Sequence, residues 1–390
     1  MLTNDYSAKL LDLEEVIIKK VEKFEDVQHI YIELPRKEHR CPNCKSVTSQ
    51  IHDYRMQAVK DIPFGRNTIL YLRKRRYSCP CCGKRFFENN SFLSRYRRTT
   101  KRMILSVIES FRKLQPASEI AAQFNISPTT AIRYFDCINY GAGALPEVLS
   151  IDEFKGNADG QKYQTILTNP KDRKILDILP NRFEFDLIQY FSMFSEREKV
   201  KYFVTDMNPH FRNIARACFP KATIIADRYH VIRQAIWAME RVRKNEQKRL
   251  SDQFRKYFKR SKYLLNKKRE KLNEEEMNRL ALMFEIAPRL ADAYRIKNEF
   301  IEVMRSSSSA IGKPRLIDWL YSVEVMDLPE FHDCTRACHN WFLEIVHSMD
   351  HPWTNGFTEG CNNKTKVLKR VCFGVRNFKR FRNRILHCAN

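Results

Sequence analysis

Apolar positions along the chain change their period several times. Up to about residue 90 they fall in short runs, EVIIKKVEKF, HIYIEL and TILYLRKRRYSCPCCGKRF, which predict a β-rich region. Met103, Ile104, Val107, Ile108, Phe111 and Leu114 then recur at helical spacing and predict an amphipathic helix over residues 100–114. The stretch SEIAAQFNISPTTAIRYFDCI, residues 118–138, predicts two short helices about a tight turn. Ser118 suits an N-cap, and Ile120, Ala121 and Phe124 face a core. Asn125 fits the end of the first helix and Ser127-Pro128 opens the second.

Beyond the small-residue linker GAGALP, residues 141–146, the order becomes mixed α/β. VLSIDEF, YQTILTN and KILDILP read as three successive strands, followed by a helix in FDLIQYFSMF and a strand in VKYFVTD. NPHFRNIARACFP is then a helix and ATIIADRYHV another strand. From about residue 231 to 350 the pattern is almost wholly helical and highly charged. It is broken by RSSSSAIGKP, residues 305–314, which reads as a loop. One or two helices follow, and no internal repeat is visible.

A chain of 390 residues with 43% hydrophobic content has room for two or three domains and a sizeable core. Lysine and arginine number 70 against 46 acids, a net charge of +24, which favours a polyanionic partner, nucleic acid ahead of a membrane surface. No apolar run is long enough to span a bilayer, and MLTNDYSAKLLDLEEV lacks the charged and apolar regions of a secretory signal. Of the 12 cysteines, Cys41, Cys44, Cys79, Cys81 and Cys82 form two short clusters, which reads as zinc in a reducing interior rather than a disulfide framework.

Cys41-x-x-Cys44 and Cys79-x-x-Cys82 each have the bite to set two thiolates on one tetrahedral ion, closing a structural site. Cys81 can stand in for Cys79 or Cys82, though the matched spacing favours the pair named. RKRR, residues 73–76, reads either as a phosphate contact or as a solvated charged strand. The second short helix offers Thr129, Thr130, Arg133 and Tyr134 to a major groove, yet helical pairs of this size also occur in proteins that bind no DNA.

Asp152 ends VLSID and Asp206 ends VKYFVTD. Carboxylates at the ends of neighbouring strands converge on one sheet edge and repel unless a cation neutralises them; magnesium or manganese takes such oxygen ligands. Glu359 is the last acidic residue of the chain, and nine lysines and arginines lie between Lys364 and Arg384 with no carboxylate. It is either the third metal ligand or a helix-dipole partner, as the aspartates are either ligands or strand-end turn residues. Glu153 points to the opposite face. Asp227 is open as second or auxiliary ligand, and His230, three residues on, as a positioning or a structural group.

SIDEF, VTDMNPHF, IIADRYHVI and NGFTEGCNNKTKVLKRVCFGVRNF resemble the blocks of bacterial insertion-sequence transposases of the ISL-three type. The resemblance covers nearly the whole chain, and the segment around Glu359 is its most specific part. It implies a multidomain α+β fold: a β region with a zinc ribbon at 1–92, a helix-turn-helix domain at 93–145, and an RNase H-like mixed α/β catalytic domain at 146–390, interrupted by a helical insertion at 231–350. It implies Asp152, Asp206 and Glu359 as the catalytic triad holding magnesium or manganese, and structural zinc on Cys41, Cys44, Cys79 and Cys82.

Its implied activity is metal-dependent cleavage at a transposon end, then attack of the freed 3′-hydroxyl on target DNA. The implied partner is double-stranded DNA, as terminal inverted repeats and target. The zinc ribbon and helix-turn-helix, with Thr129, Thr130 and Arg133, would read the repeats, and Lys364, Lys366, Lys369 and Arg370 would contact phosphates near the cut. A homodimer or larger synaptic complex is expected, in a bacterial cytoplasm and on the nucleoid when DNA-bound. Thr354 stands where relatives often carry serine and Val375 where phenylalanine is usual; neither touches the triad. The alternative is a catalytically silent sequence-specific DNA-binding protein derived from a transposase. A pure binder has no need of three carboxylates in a chain that gains from positive charge. A general nuclease would differ in needing no inverted repeat.

Overall fold

The structure, a computed structural model, describes residues 13, 16–259, 261–267, 269–326 and 328–389; the N-terminal stretch read for a leader lies almost wholly outside them. Two compact units form. One comprises Met1–Tyr140, Val367–Val375 and Lys379–Asn390, the other Gly141–Lys366 and Arg376–Phe378. Among the described residues no helix is long and apolar enough to cross a membrane.

The first unit opens with strands β1 (Ile17–Lys23), β2 (Val27–Glu33), β3 (His39–Arg40), β4 (Val47–Thr48), β5 (Ile51–Asp61), β6 (Asn67–Ser78) and β7 (Arg85–Phe87). They make a sheet in the order β1-β2-β6-β5 with β7 beside β6, and a small β3-β4 hairpin. Alternation along β2 and β6 turns Ile30, Ile32, Leu70 and Leu72 to one face, where they meet Val59 and Leu34. Helices α1 (Lys101–Ser110), α2 (Ala117–Gln123) and α3 (Pro128–Phe135) follow and close on Val107, Phe111, Ile120, Ala121, Ala131 and Phe135.

Local chemistry sets the helix ends here. Thr100 caps α1, and Ser127 caps α3 by accepting from Thr130 N at 3.2 Å. Asn125 takes φ +49°, the left-handed turn that asparagine tolerates. Two expectations need correction. Helix α2 starts at Ala117 after an extended Pro116, so Ser118 lies inside the first turn rather than at the cap. Tyr134 is buried, its hydroxyl 3.0 Å from Thr99 Oγ1, so it faces the core and not a groove.

The second unit holds β8 (Val148–Phe154), β9 (Gln164–Asn169), β10 (Lys174–Leu179), α4 (Glu184–Ser192), β11 (Tyr202–Thr205), α5 (Pro209–Cys218) and β12 (Thr223–Ala226). Its sheet runs β10-β9-β8-β11-β12, antiparallel through β10, β9 and β8 and parallel through β8, β11 and β12. On one face Leu149, Ile151, Leu167 and Phe203 pack with Leu187 and Phe191 of α4 and Phe211 and Ile214 of α5.

A helical stretch follows: α6 (Arg228–Arg249), α7 (Asp252–Phe258), α8 (Lys262–Asn266), α9 (Glu274–Ile286), α10 (Pro288–Met304), α11 (Ser309–Val325), α12 (His332–Asn340) and α13 (Phe342–Asp350). They share one apolar core that includes Met239, Phe258, Ile296, Phe300, Trp319 and Ile345. The strand expected in ATIIADRYHV stops at Ala226, because Asp227 caps α6. The loop expected at 305–314 shrinks to its first residues: α11 begins at Ser309 and runs through Pro314. Gly312 serves packing, since a Cβ there would lie 2.2 Å from Met349 Sδ.

The last helices are α14 (Gly356–Val371) and α15 (Phe378–Ala389). Arg384 of α15 is buried in the first unit, donating to the carbonyls of Phe111, Lys113 and Gln115 beyond α1. Asn383 donates to Ile138 O at 2.8 Å, and His387 lies 2.6 Å from the Tyr140 hydroxyl. Carbonyls left open at a helix end are thus satisfied from a distant segment.

Candidate active site and zinc centre

Cys41 and Cys44 sit in the β3-β4 turn, Cys79 and Cys82 in the turn between β6 and β7. The two turns repeat each other. In each, the first cysteine accepts from the N–H four residues on, at 3.0 Å from Lys45 and 2.9 Å from Gly83, and that residue has positive φ. Cys41 Sγ lies 3.6 Å from Cys82 Sγ, and Cys44 Sγ 3.4 Å from Cys79 Sγ. All four sulfurs lie within 4.8 Å of one another, and Cys81 stands outside the set. The Ser46 hydroxyl and N–H bring the Cys44 thiol down to about 6, toward the thiolate a metal needs. Four thiolates at this spacing suit a closed structural zinc site.

The acid cluster follows from strand register. Ile151 of β8, Thr205 of β11 and Ala226 of β12 are register partners across the three parallel strands. Each is followed by an aspartate, so Asp152, Asp206 and Asp227 line one edge of the sheet. Burial, then the nearby charge of Asp206, pushes the carboxyl of Asp152 up to about 7; burial also raises that of Asp206. Among the described residues no lysine or arginine is ion-paired with either, and His230 is the basic group that acts on both. Glu153 instead pairs with Arg182 at 2.8 Å.

Asp227 Oδ2 holds His230 Nδ1 at 2.7 Å, and His230 Nε2 faces Glu359 Oε1 at 3.8 Å. Burial disfavours charge on His230, but its bond to Asp227 outweighs this and holds its pKa above the ordinary value. Ligand atoms of Asp227, His230 and Glu359 fall within 4.8 Å of one another, a group that leaves out Asp152 and Asp206. Glu359 therefore lies closer to the histidine pair than to a three-carboxylate cluster. Its side chain is 38% exposed, in the first turn of α14.

What seats α14 on the sheet is a buried polar stripe that sequence reasoning missed. Asn355, Thr358, Asn362 and Thr365 are all buried at helical spacing. Ser150 Oγ of β8 donates to Asn355 Oδ1 at 2.6 Å and lies 2.7 Å from Thr358 Oγ1. Thr358 Oγ1 is also 2.8 Å from Thr168 Oγ1 of β9. Asn362 Nδ2 donates to Asp152 Oδ2 at 2.9 Å, and its buried Oδ1 has no hydrogen-bond partner among the described residues. The spacing of these residues was the available signal, but hydrophobicity does not report it.

The remaining expected residues lie at the surface. Thr129 and Arg133 are exposed on α3 and Thr130 is half-buried. On α14, Lys364, Lys366 and Arg370 are exposed and Lys369 half-buried.

Residues 149–385 match the ISL3-type family described as Transposase, and residues 37–82 match the family described as zinc-finger of transposase IS204/IS1001/IS1096/IS1165. The chain is 24% identical to the transposase for insertion sequence element IS1001 of Bordetella parapertussis, over 90% of this chain and 89% of that protein. It is 28% identical to the transposase for insertion sequence element IS1557 of Mycobacterium tuberculosis, over 36% of this chain and 32% of that protein.

Proposed function

The chain belongs to the ISL3 transposase family, and on that premise we propose that it cuts and joins DNA at the terminal inverted repeats of an insertion sequence, using Asp152, Asp206 and Glu359. The observation that carries the reading is the line of Asp152, inside β8, with Asp206 and Asp227, just past β11 and β12, facing a helix that bears Glu359 and is bonded to Asp152 through Asn362. Strand order and this edge support an RNase H-like catalytic domain at 146–390, with 231–350 as its insertion. Residues 1–92 are the zinc-ribbon domain and 93–145 the helix-turn-helix domain of this reading.

The acid edge fits a hard divalent cation. Carboxylate oxygens with no lysine or arginine paired to the two aspartates among the described residues are what magnesium or manganese requires, and His230 is their basic neighbour. Asp152, Asp206 and Glu359 would hold it. When bound there, such an ion polarises a phosphoryl oxygen and makes water a stronger nucleophile. Asn362 fixes the Asp152 carboxylate, and Asp227 orients His230, whose Nε2 can move a proton at Glu359. Lys364, Lys366, Lys369 and Arg370 neutralise phosphates beside the cut. Hydrolysis frees a 3′-hydroxyl, which then attacks target DNA. Thr129, Thr130 and Arg133 on α3 enter the major groove of the repeat. Two ends brought together call for a homodimer or larger assembly.

The test gives the protein a labelled duplex carrying the element's own terminal repeat, with magnesium. Wild type nicks at the repeat boundary. Asp152→Asn and Asp206→Asn bind the duplex and cut at least ~1,000-fold more slowly, about 4 kcal/mol of barrier. Either variant cutting at the wild-type rate contradicts the assignment. Wild type that binds the repeat but fails to cut, whichever divalent metal is supplied, is the silent DNA-binding protein instead.

A further inference from the structure

Tyr229, Arg233 and Trp237 follow one another at four-residue intervals on α6, so they share one face of the helix over about 12 Å. The Arg233 guanidinium lies 5.7 Å from the centre of the Tyr229 ring and 4.7 Å from that of Trp237. Tyr229 is 56% exposed and Trp237 44%. Two arginines further along this helix take carboxylates, Arg243 on Glu240 and Arg249 on Glu246. Arg233 has no such partner among the described residues, and its buried Nε–H has no hydrogen bond. The stripe begins at the acid cluster: Tyr229 stands between Asp227 and His230 in the chain, its ring edge-on to the imidazole at 5.8 Å. Further along the same face lies the exposed Lys244.

We propose that this stripe docks unpaired DNA bases flanking the cut, an inference that rests on the transposase reading. A guanidinium without a carboxylate suits a backbone phosphate, and the +24 chain supplies the field that draws DNA to it. The rings on either side of it are exposed and offer flat surface on which bases can stack. Paired bases within a duplex have their faces covered by neighbours and present only edges. Unpaired bases can stack on tyrosine and tryptophan, whatever their identity. The surface therefore takes a frayed or displaced strand in preference to closed duplex, and holds it beside Asp227, His230 and Glu359.

The test is binding by fluorescence anisotropy, with the full chain, in EDTA so that no cutting occurs. Probes are a blunt terminal-repeat duplex, the same duplex with a short unpaired flank, and oligothymidine. Wild type should hold the unpaired flank ~10-fold or more tighter than the blunt duplex. Tyr229→Ala with Trp237→Ala should lose that preference while keeping blunt-duplex affinity, and Tyr229→Phe with Trp237→Phe should retain it. Should the alanine pair melt lower than wild type, Arg233→Gln carries the test through loss of the same preference. Wild type that binds blunt and flanked duplex equally, or an alanine pair that keeps the preference, overturns the surface and leaves the transposase reading standing. Wild type that binds no probe overturns both.

Discussion

The helical insertion and α14 have the same backbone and opposite chemistry at their buried faces. Across α6 to α13 the core is apolar, with the Phe300 and Trp319 rings tilted against each other, centroids 4.3 Å apart, among Met239, Ile296 and Ile345. The face of α14 puts Asn355, Thr358, Asn362 and Thr365 where a bundle would put leucine. Apolar burial is strong and non-directional, so it holds helices together while tolerating small slides. Hydrogen bonds work over a few tenths of an ångström, and each buried group left unmatched costs about 1–3 kcal/mol. A helix fastened by Ser150, Thr168 and Asp152 therefore has one register, and that register sets where Glu359 stands.

The comparison breaks first, and hardest, in the insertion. Phe300→Ala should cost about 3–5 kcal/mol by denaturant unfolding. It should leave the cutting rate per folded molecule unchanged, and a matching loss of rate would show that the insertion also sets the site. Lys297 is a charged residue buried beside the same core: its Nζ donates to Leu265 O at 2.9 Å, and burial holds its pKa down to about 8. The folded state gives up this proton before the unfolded one, which keeps it to about 10.4. Stability is therefore lowest where both states are charged and rises as pH climbs from 8 toward that value. Lys297→Met should raise stability at neutral pH by about 1–3 kcal/mol and flatten the rise, both readable in thermal melts across that range.

Asn362→Leu sharpens the other half. It keeps size but frees the Asp152 carboxylate, so cutting should fall ~10-fold, with a stability change of about 1 kcal/mol. If stability drops and the rate per folded molecule does not, Asn362 only seats the helix. Thr358→Val, on the same stripe but bonded to the Ser150 and Thr168 hydroxyls rather than to an acid, should do the reverse, costing about 1–2 kcal/mol with the rate nearly kept.

Much of the architecture was legible in the sequence. The strands could be read because VLSI, VKYFVT and ATIIA are apolar runs, although β8 continues past Asp152 to Phe154 and β12 stops at Ala226, and the two cysteine pairs because their spacing is a geometric requirement. Three things were hidden. The polar stripe of α14 has the period of a core face and the composition of a surface, so hydrophobicity passes over it. Arg384 belongs to a run that reads as phosphate-gripping, yet it is spent on three backbone carbonyls in the first unit. Gly312 and Pro314 read as loop breakers, whereas the glycine admits Met349 and the proline sits early in α11. In each case a tertiary neighbour decides the role, and local pattern does not contain it.

The central claim is that the α14 register puts Glu359 to work on the DNA strand at the acid edge. Its most direct test is cleavage of a labelled terminal-repeat duplex with magnesium by wild type and Glu359→Gln, alongside binding of the same duplex by both. Wild type that nicks at the repeat boundary, with a variant that binds equally and does not cut, is the predicted result. Equal cutting by the two proteins would contradict it, and would leave Glu359 as a helix-end charge beside a phosphate-gripping segment.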